Sequence, residues 1–168
     1  AVKAINDYGD EVMKVFDEVF YSFTFGGEAM SLAAAKATIE EIRERKVIAH
    51  LWLQGQKLQD GFNVLAQRFG LGEQVRCVGL PPRTVIRFED EHKEGSMVLK
   101  SLFQQEVIKR GVLSAGYHNV CFSHSDQDVD YTLRVYRSAL EVIATALDSG
   151  SPGRYLEGEP VQPVFRAL

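Results

Sequence analysis

The stretch from Phe23 to Ile42, FTFGGEAMSLAAAKATIEEI, runs a Thr-aromatic-Gly-Gly turn straight into an alanine-rich helix. Two adjacent glycines let backbone N–H groups approach a ligand closely. A helix starting there adds unpaired N–H donors and the positive end of its dipole, which together suit an anion, most often a phosphate. Thr24 adds a hydroxyl able to donate to a phosphate oxygen. The same spacing also describes a glycine-containing loop before a core helix, and the motif alone leaves both readings open. Small residues surround the first turns of that helix, where Ala29, Leu32, Ala33, Ala37 and Ile39 call for burial on several sides. Its second half, Glu40 to Arg45, is charged and reads as solvated.

The run Thr24-Phe25-Gly26-Gly27, with Glu28-Ala29-Met30 and Ala33-Ala34-Ala35 behind it, resembles the Thr-aromatic-x-Gly segment of class III pyridoxal-phosphate-dependent aminotransferases. It is most similar to their glutamate-1-semialdehyde 2,1-aminomutase-like branch. Further on, Gly111-Val112-Leu113 followed by His124-Ser125 and Asp128 resembles the family's Gly-Val-aromatic, His-Thr and Asp pattern, in the same order. The resemblance implies an α/β (α+β) fold: the small C-terminal domain of a fold-type I transferase, with long helices packed on a small, mainly antiparallel sheet. It implies pyridoxal 5'-phosphate in the complete enzyme, with Thr24, Gly26 and Gly27 reaching the phosphate across a homodimer interface. The implied activity is amino-group transfer, or a 2,1-amino shift, on a small amino or carbonyl substrate.

In that family the Schiff-base lysine stands roughly thirty residues before the threonine, in a Lys…Gly-x-Pro run, and carries the chemistry. Counting back from Thr24 passes Ala1. Lys3 is too close, no Gly-x-Pro comes after it, and it reads as an ordinary surface lysine. The chain therefore resembles the C-terminal part of such an enzyme, partnered by a missing N-terminal cofactor domain and inactive by itself. A different class stays open: a non-catalytic, stand-alone interaction or oligomerisation domain derived from such an enzyme.

Composition narrows the remaining classes. At 168 residues and 45% apolar, the chain can bury a real core. A net charge of −4, with both signs interspersed, points to neither nucleic acid nor an anionic membrane. No apolar run approaches the ~20 residues of a membrane span. Cys77 and Cys121 lack metal-ligand spacing and read as buried free thiols in a reducing cytoplasm.

Along the chain the pattern predicts three parts: residues 1–45 as a remnant of the cofactor domain and its connecting helix, 46–148 as the small domain, and 149–168 as an extended tail rich in Gly and Pro. Residues 11–20 read as a short helix with Val12, Val15, Phe16, Val19 and Phe20 on one side. Residues 46–70 carry an apolar stripe of Val47, Leu51, Leu58, Phe62, Leu65 and Phe69. Gly55 falls on that stripe and costs about 1 kcal/mol against Ala unless a neighbouring backbone packs there. His50 and Trp52 read as packing residues. Strands are expected at 75–78 and 83–88, with a breaker at 79–82 and with Arg83 and Arg87 on an exposed face or, less simply, on a carboxylate. Ser96 caps a helix over 97–110, strands come next at 112–113 and 119–122, and Ser125 caps the last helix, whose inward stripe is Val129, Leu133, Tyr136, Leu140, Ile143 and Leu147. His118 and Asn119 are the polar pair that structure explains least, and in related enzymes this neighbourhood lies near the substrate pocket.

Overall fold

The computed structural model describes residues 28–90, 92 and 94–162. Contacts divide the chain into two units, Ala1–Arg45 and Lys46–Leu168. The described part of the first is helix α1, Ala29–Glu44. None of its residues is buried, and Met30, Leu32 and Ile39 are half or more exposed. The burial that its alanine-rich turns call for is therefore not supplied among the described residues.

The second unit stacks helices on one face of a three-stranded antiparallel sheet. Its elements are α2 (Val47–Arg68), β1 (Val75–Leu80), β2 (Arg83–Phe88), α3 (Met97–Lys109), β3 (Tyr117–Asn119) and α4 (Asp126–Asp148), with a 3-10 turn over Pro152–Tyr155. Strand order is β1-β2-β3. Period-two alternation sends Val75, Cys77, Thr84, Ile86 and Phe88 inward and Arg76, Arg83, Val85 and Arg87 outward. The inward side chains meet Phe62 of α2, Phe103 of α3 and Tyr136 of α4. Ring centroids of Phe62, Phe103 and Tyr136 lie 5.2–5.9 Å apart, in tilted and edge-on contacts.

The apolar stripes anticipate the helix faces well. Leu58 and Phe62 are buried on α2, and Leu51, Leu65 and Phe69 pack partly against the core. Val129, Tyr136, Leu140 and Ile143 are buried on α4. Ser125 caps α4 in a reciprocal box: its Oγ accepts from the Asp128 N–H at 3.3 Å, and Asp128 Oδ2 accepts from the Ser125 N–H at 2.8 Å. Ser96 Oγ caps α3 by accepting from the Leu99 N–H. His50 packs as expected, half-buried, with Nε2 at 2.8 Å from the His124 carbonyl oxygen and its ring edge-on to Phe122. Trp52 stays nearly half exposed.

Three details differ from the sequence reading. β1 continues to Leu80, so the reversal lies at Pro81-Pro82 alone; Leu80 pairs with Arg83, and proline's missing N–H costs nothing in a two-residue loop. No strand forms at 112–113, because the Val112 N–H still bonds back to the Val107 carbonyl at the end of α3. The third strand is 117–119 rather than 119–122, and the chain leaves the sheet at Val120, whose N–H bonds to the Pro82 carbonyl.

The segment after α4 is also held more closely than its Gly and Pro content suggests. Leu156 packs on the core. Gln105 donates to the Tyr155 carbonyl (3.0 Å) and accepts from the Glu157 N–H (2.8 Å), while Ser101 Oγ accepts from the Val161 N–H (2.8 Å).

Candidate functional site

An open groove of about 1080 Å³ runs along β3, between α3, α4 and the returning tail. Ile108, Leu113, Asn119, Tyr131 and Glu159 are among its walls, and His118 lies at its base. β3 is an edge strand. The Ile86 N–H bonds to the Gly116 carbonyl and the Val120 N–H to the Pro82 carbonyl, so residues 116, 118 and 120 face β2. The main-chain groups of Tyr117 and Asn119 point the other way.

The sequence pairs His118 with Asn119 as neighbours, and the strand sends them to opposite faces. His118 is buried. Its Nδ1 lies 2.7 Å from Thr84 Oγ1 and its Nε2 lies 2.8 Å from the Tyr136 hydroxyl. Both partners are hydroxyls that donate or accept, so a neutral imidazole in either tautomer is satisfied. Burial, and secondarily the positive field of His124, holds the His118 pKa down to about 4. Burial likewise raises the Tyr136 hydroxyl and the Cys77 thiol, whose Sγ lies 3.8 Å from His118 Nδ1. The geometry gives His118 a structural job: a neutral link joining β2, β3 and α4.

Asn119 stands on the exposed face. Its Oδ1 accepts from Arg83 Nη1 at 2.6 Å, and the Arg83 guanidinium sits 5.7 Å from the centroid of the Tyr117 ring. Asn119 therefore orients an arginine. The sequence weighs Arg83 without this partner, because the pairing depends on the β2–β3 register, which no local signal specifies.

Thr24, Gly26 and Gly27 lie outside the described residues, as do Lys3 and the expected helix at 11–20. Helix α1 begins two residues after Gly27, and its N-cap Glu28 makes no side-chain cap bond. The first backbone bond into the helix runs from the Leu32 N–H to the Glu28 carbonyl. The N–H groups of Ala29, Met30 and Ser31 thus have no intrahelical acceptor. Glu28 instead accepts from the Ser31 hydroxyl. Among the described residues no cluster of His, Cys, Asp or Glu suits a metal ion. Cys77 is a buried free thiol as the sequence suggests, but Cys121 is exposed, because the chain has left the sheet there and turns at the surface.

No family model matches the chain. A relative named as 3-aminobutyryl-CoA aminotransferase, from Cloacimonas acidaminovorans (strain Evry), is 26% identical over 141 residues, covering 82% of this chain and 34% of the relative. The FumI protein of Sphingopyxis sp. MTA144, solved in its PLP internal aldimine form, superposes with a TM-score of 0.65 at 24% identity, over 84% of this chain and 34% of that one. An omega-transaminase from Sphaerobacter thermophilus gives 0.59 at 13% identity, over 73% and 30%. The chain carries the small C-terminal domain fold of these transaminases. It spans about a third of the length of the relatives it matches. None of its described helices is long and apolar enough to cross a membrane.

Proposed function

We propose that this chain is the C-terminal part of a pyridoxal-phosphate-dependent aminotransferase of the cytoplasm, active as a homodimer on a small amino or carbonyl substrate. The observation that carries this is the fold shared with omega-transaminases over 73–83% of the chain, and with the PLP-bound FumI protein over 84%. The curated relative points the same way, and its name, 3-aminobutyryl-CoA aminotransferase, supports a CoA thioester among the substrates of the complete protein. A 2,1-amino shift of the glutamate-1-semialdehyde kind is the narrower form of the same chemistry.

The residues present fit one end of the cofactor. The unbonded N–H groups of the first turn of α1 lie directly after Gly26 and Gly27, and Thr24 adds a hydroxyl, so the donor set suits a phosphate. In this reading Thr24, Gly26 and Gly27 grip that phosphate, and His118 and Asn119 shape the substrate side, His118 by fixing β3 and Asn119 by aiming Arg83. Pyridoxal phosphate, when bound, supplies the electron sink for amino transfer. No lysine of this chain stands where the family's cofactor-bonding lysine does, so residues 1–168 alone are inactive. The same reading sets the domain boundaries: 1–45 belongs with the cofactor domain, 46–148 is the small domain, and 149–168 is its tail.

Mixing residues 1–168 with pyridoxal phosphate, reducing with borohydride and taking an intact mass tests this. The expected outcome is scattered partial labelling of surface lysines. A stoichiometric adduct on a single lysine would overturn the assignment and make this chain a catalytic unit by itself. A folded chain that dimerises tightly, with no aminotransferase activity in the polypeptide that contains it, would favour the interaction-domain alternative.

A further inference from the structure

The outward face of the sheet is built in three rows. Arg76 on β1 stands directly opposite Arg87 on β2, Val78 opposite Val85, and Leu80 opposite Arg83. β3 extends the last two rows, with Tyr117 beside Val85 and Asn119 beside Arg83. One row of two arginines and one row holding the single cation Arg83 therefore flank an apolar one. At about 3.4 Å per residue, Arg83 and Arg87 are ~14 Å apart along the strand, within reach of two long side chains turned toward each other.

Like charges directly opposite on a sheet are destabilising. Among the described residues the Arg76–Arg87 pair is only partly neutralised, by one long ion pair on the Arg76 side. Arg76 donates from Nε to the Gly72 carbonyl (3.1 Å), and its nearest carboxylate is Glu73, at 3.9 Å. Arg87 makes no hydrogen bond or ion pair among the described residues. Arg83 is pre-aimed by Asn119 and by the Tyr117 ring. A small pocket of about 150 Å³ opens beside the apolar row, lined by Val85, Tyr117, Met97 and Lys100, which brings a fourth cation to the margin. Arginine and tyrosine around an apolar strip, with a fixed fork of donors on each guanidinium, form a surface that recognises phosphate groups attached to a partly apolar body.

We infer that this face binds the phosphorylated end of a CoA thioester. The pyrophosphate lies across Arg76 and Arg87, an apolar portion lies on Val78, Val85 and Tyr117, and a further phosphate reaches Arg83. The choice of CoA rests on the amino-transfer reading above; the anion preference rests on the arginine rows alone. A bound phosphate would supply Arg87 with the anionic partner it lacks among the described residues.

The test uses residues 1–168 and isothermal titration with CoA, 3',5'-ADP, pantetheine and inorganic pyrophosphate, at low and at physiological salt. CoA and 3',5'-ADP are expected to bind and pantetheine not to, with affinity falling as salt rises. Arg76→Ala and Arg87→Ala are each expected to weaken CoA by about tenfold or more with an unchanged circular dichroism spectrum. Arg137→Ala, at an exposed position on α4, is expected to leave affinity unchanged. Absence of CoA binding at millimolar concentration, or affinity indifferent to Arg76 and Arg87, overturns the inference. Pyrophosphate binding as tightly as CoA also overturns it, leaving only a general anion surface. In the complete polypeptide the two readings separate: amino transfer without CoA binding sinks this inference alone, whereas CoA binding without amino transfer sinks the proposed function and leaves the face standing.

Discussion

Gly55→Ala is expected to destabilise the 46–162 unit by about 3 kcal/mol, even though alanine is the better helix former by about 1 kcal/mol. A Cβ built at Gly55 falls 2.0 Å from the Pro81 carbonyl oxygen and 2.3 Å from its carbon. Those are backbone atoms in a two-proline reversal, so they cannot swing away as a side chain does. Relief requires α2 or the β1–β2 hairpin to shift, which opens the contact between Leu58, Phe62 and the sheet. Gly61, one turn and a half along the same helix, is the control. Its Cβ would meet the side chain of Leu133, with the terminal carbons at 2.7 and 2.8 Å and Cγ at 3.3 Å, and Leu133 has other rotamers. Gly61→Ala is therefore expected to cost under about 1 kcal/mol net. Urea unfolding of the two variants checks this. A Gly55→Ala protein as stable as the parent would show that the hairpin does not press on α2.

This glycine also shows how far the sequence reaches. Its place on an apolar stripe makes a close backbone approach foreseeable, yet only the fold reveals that the approaching backbone is Pro81. The helices α2, α3 and α4 are legible because their periodicity and caps are local: Ser125, Asp128 and the stripe from Val129 to Ile143 carry their own instructions. Strand ends are less legible. Where β3 starts and stops depends on which residues of 112–122 find partners on β2, a long-range matter that β-prone residues such as Val112 and Leu113 do not decide. The same holds for the candidate site. His118 and Asn119 are adjacent polar residues in the sequence, and only pairing with Thr84 and Arg83 assigns one to the core and the other to the surface.

The second large effect is a loss of stability in weak acid, traced to His118. Its folded pKa is held down to about 4, against 6.5 when unfolded. As pH falls through 6.5 the unfolded chain takes up the proton first, so folding stability declines from there down to about pH 4 and then levels. Above 6.5 the contribution is fully present. The depression corresponds to about 3 kcal/mol across that window. Asp126 and Asp128 are lowered as well, Asp126 chiefly by its hydrogen bond from Lys57 and Asp128 chiefly by Ser125, but they titrate below the ordinary carboxylate range and act in more acid solution. Measuring unfolding free energy from pH 7.5 to 4 should give a slope that His118→Gln removes, at the cost of lower stability at pH 7 because Thr84 and Tyr136 lose a well-placed partner. A His118→Gln protein with the same slope would assign the acid sensitivity elsewhere.

The proposed function stands most directly on Thr24. In the complete polypeptide that contains residues 1–168, Thr24→Ala removes a hydrogen bond to a charged phosphate, an interaction of about 1.5–3 kcal/mol. The pyridoxal phosphate dissociation constant of the apoenzyme, measured by titration against Thr24→Ala with circular dichroism as a folding control, is the decisive quantity. The account predicts a rise of about tenfold or more with the fold unchanged. An unaltered dissociation constant would contradict it, and the Thr-Phe-Gly-Gly turn would then be only the lead into α1.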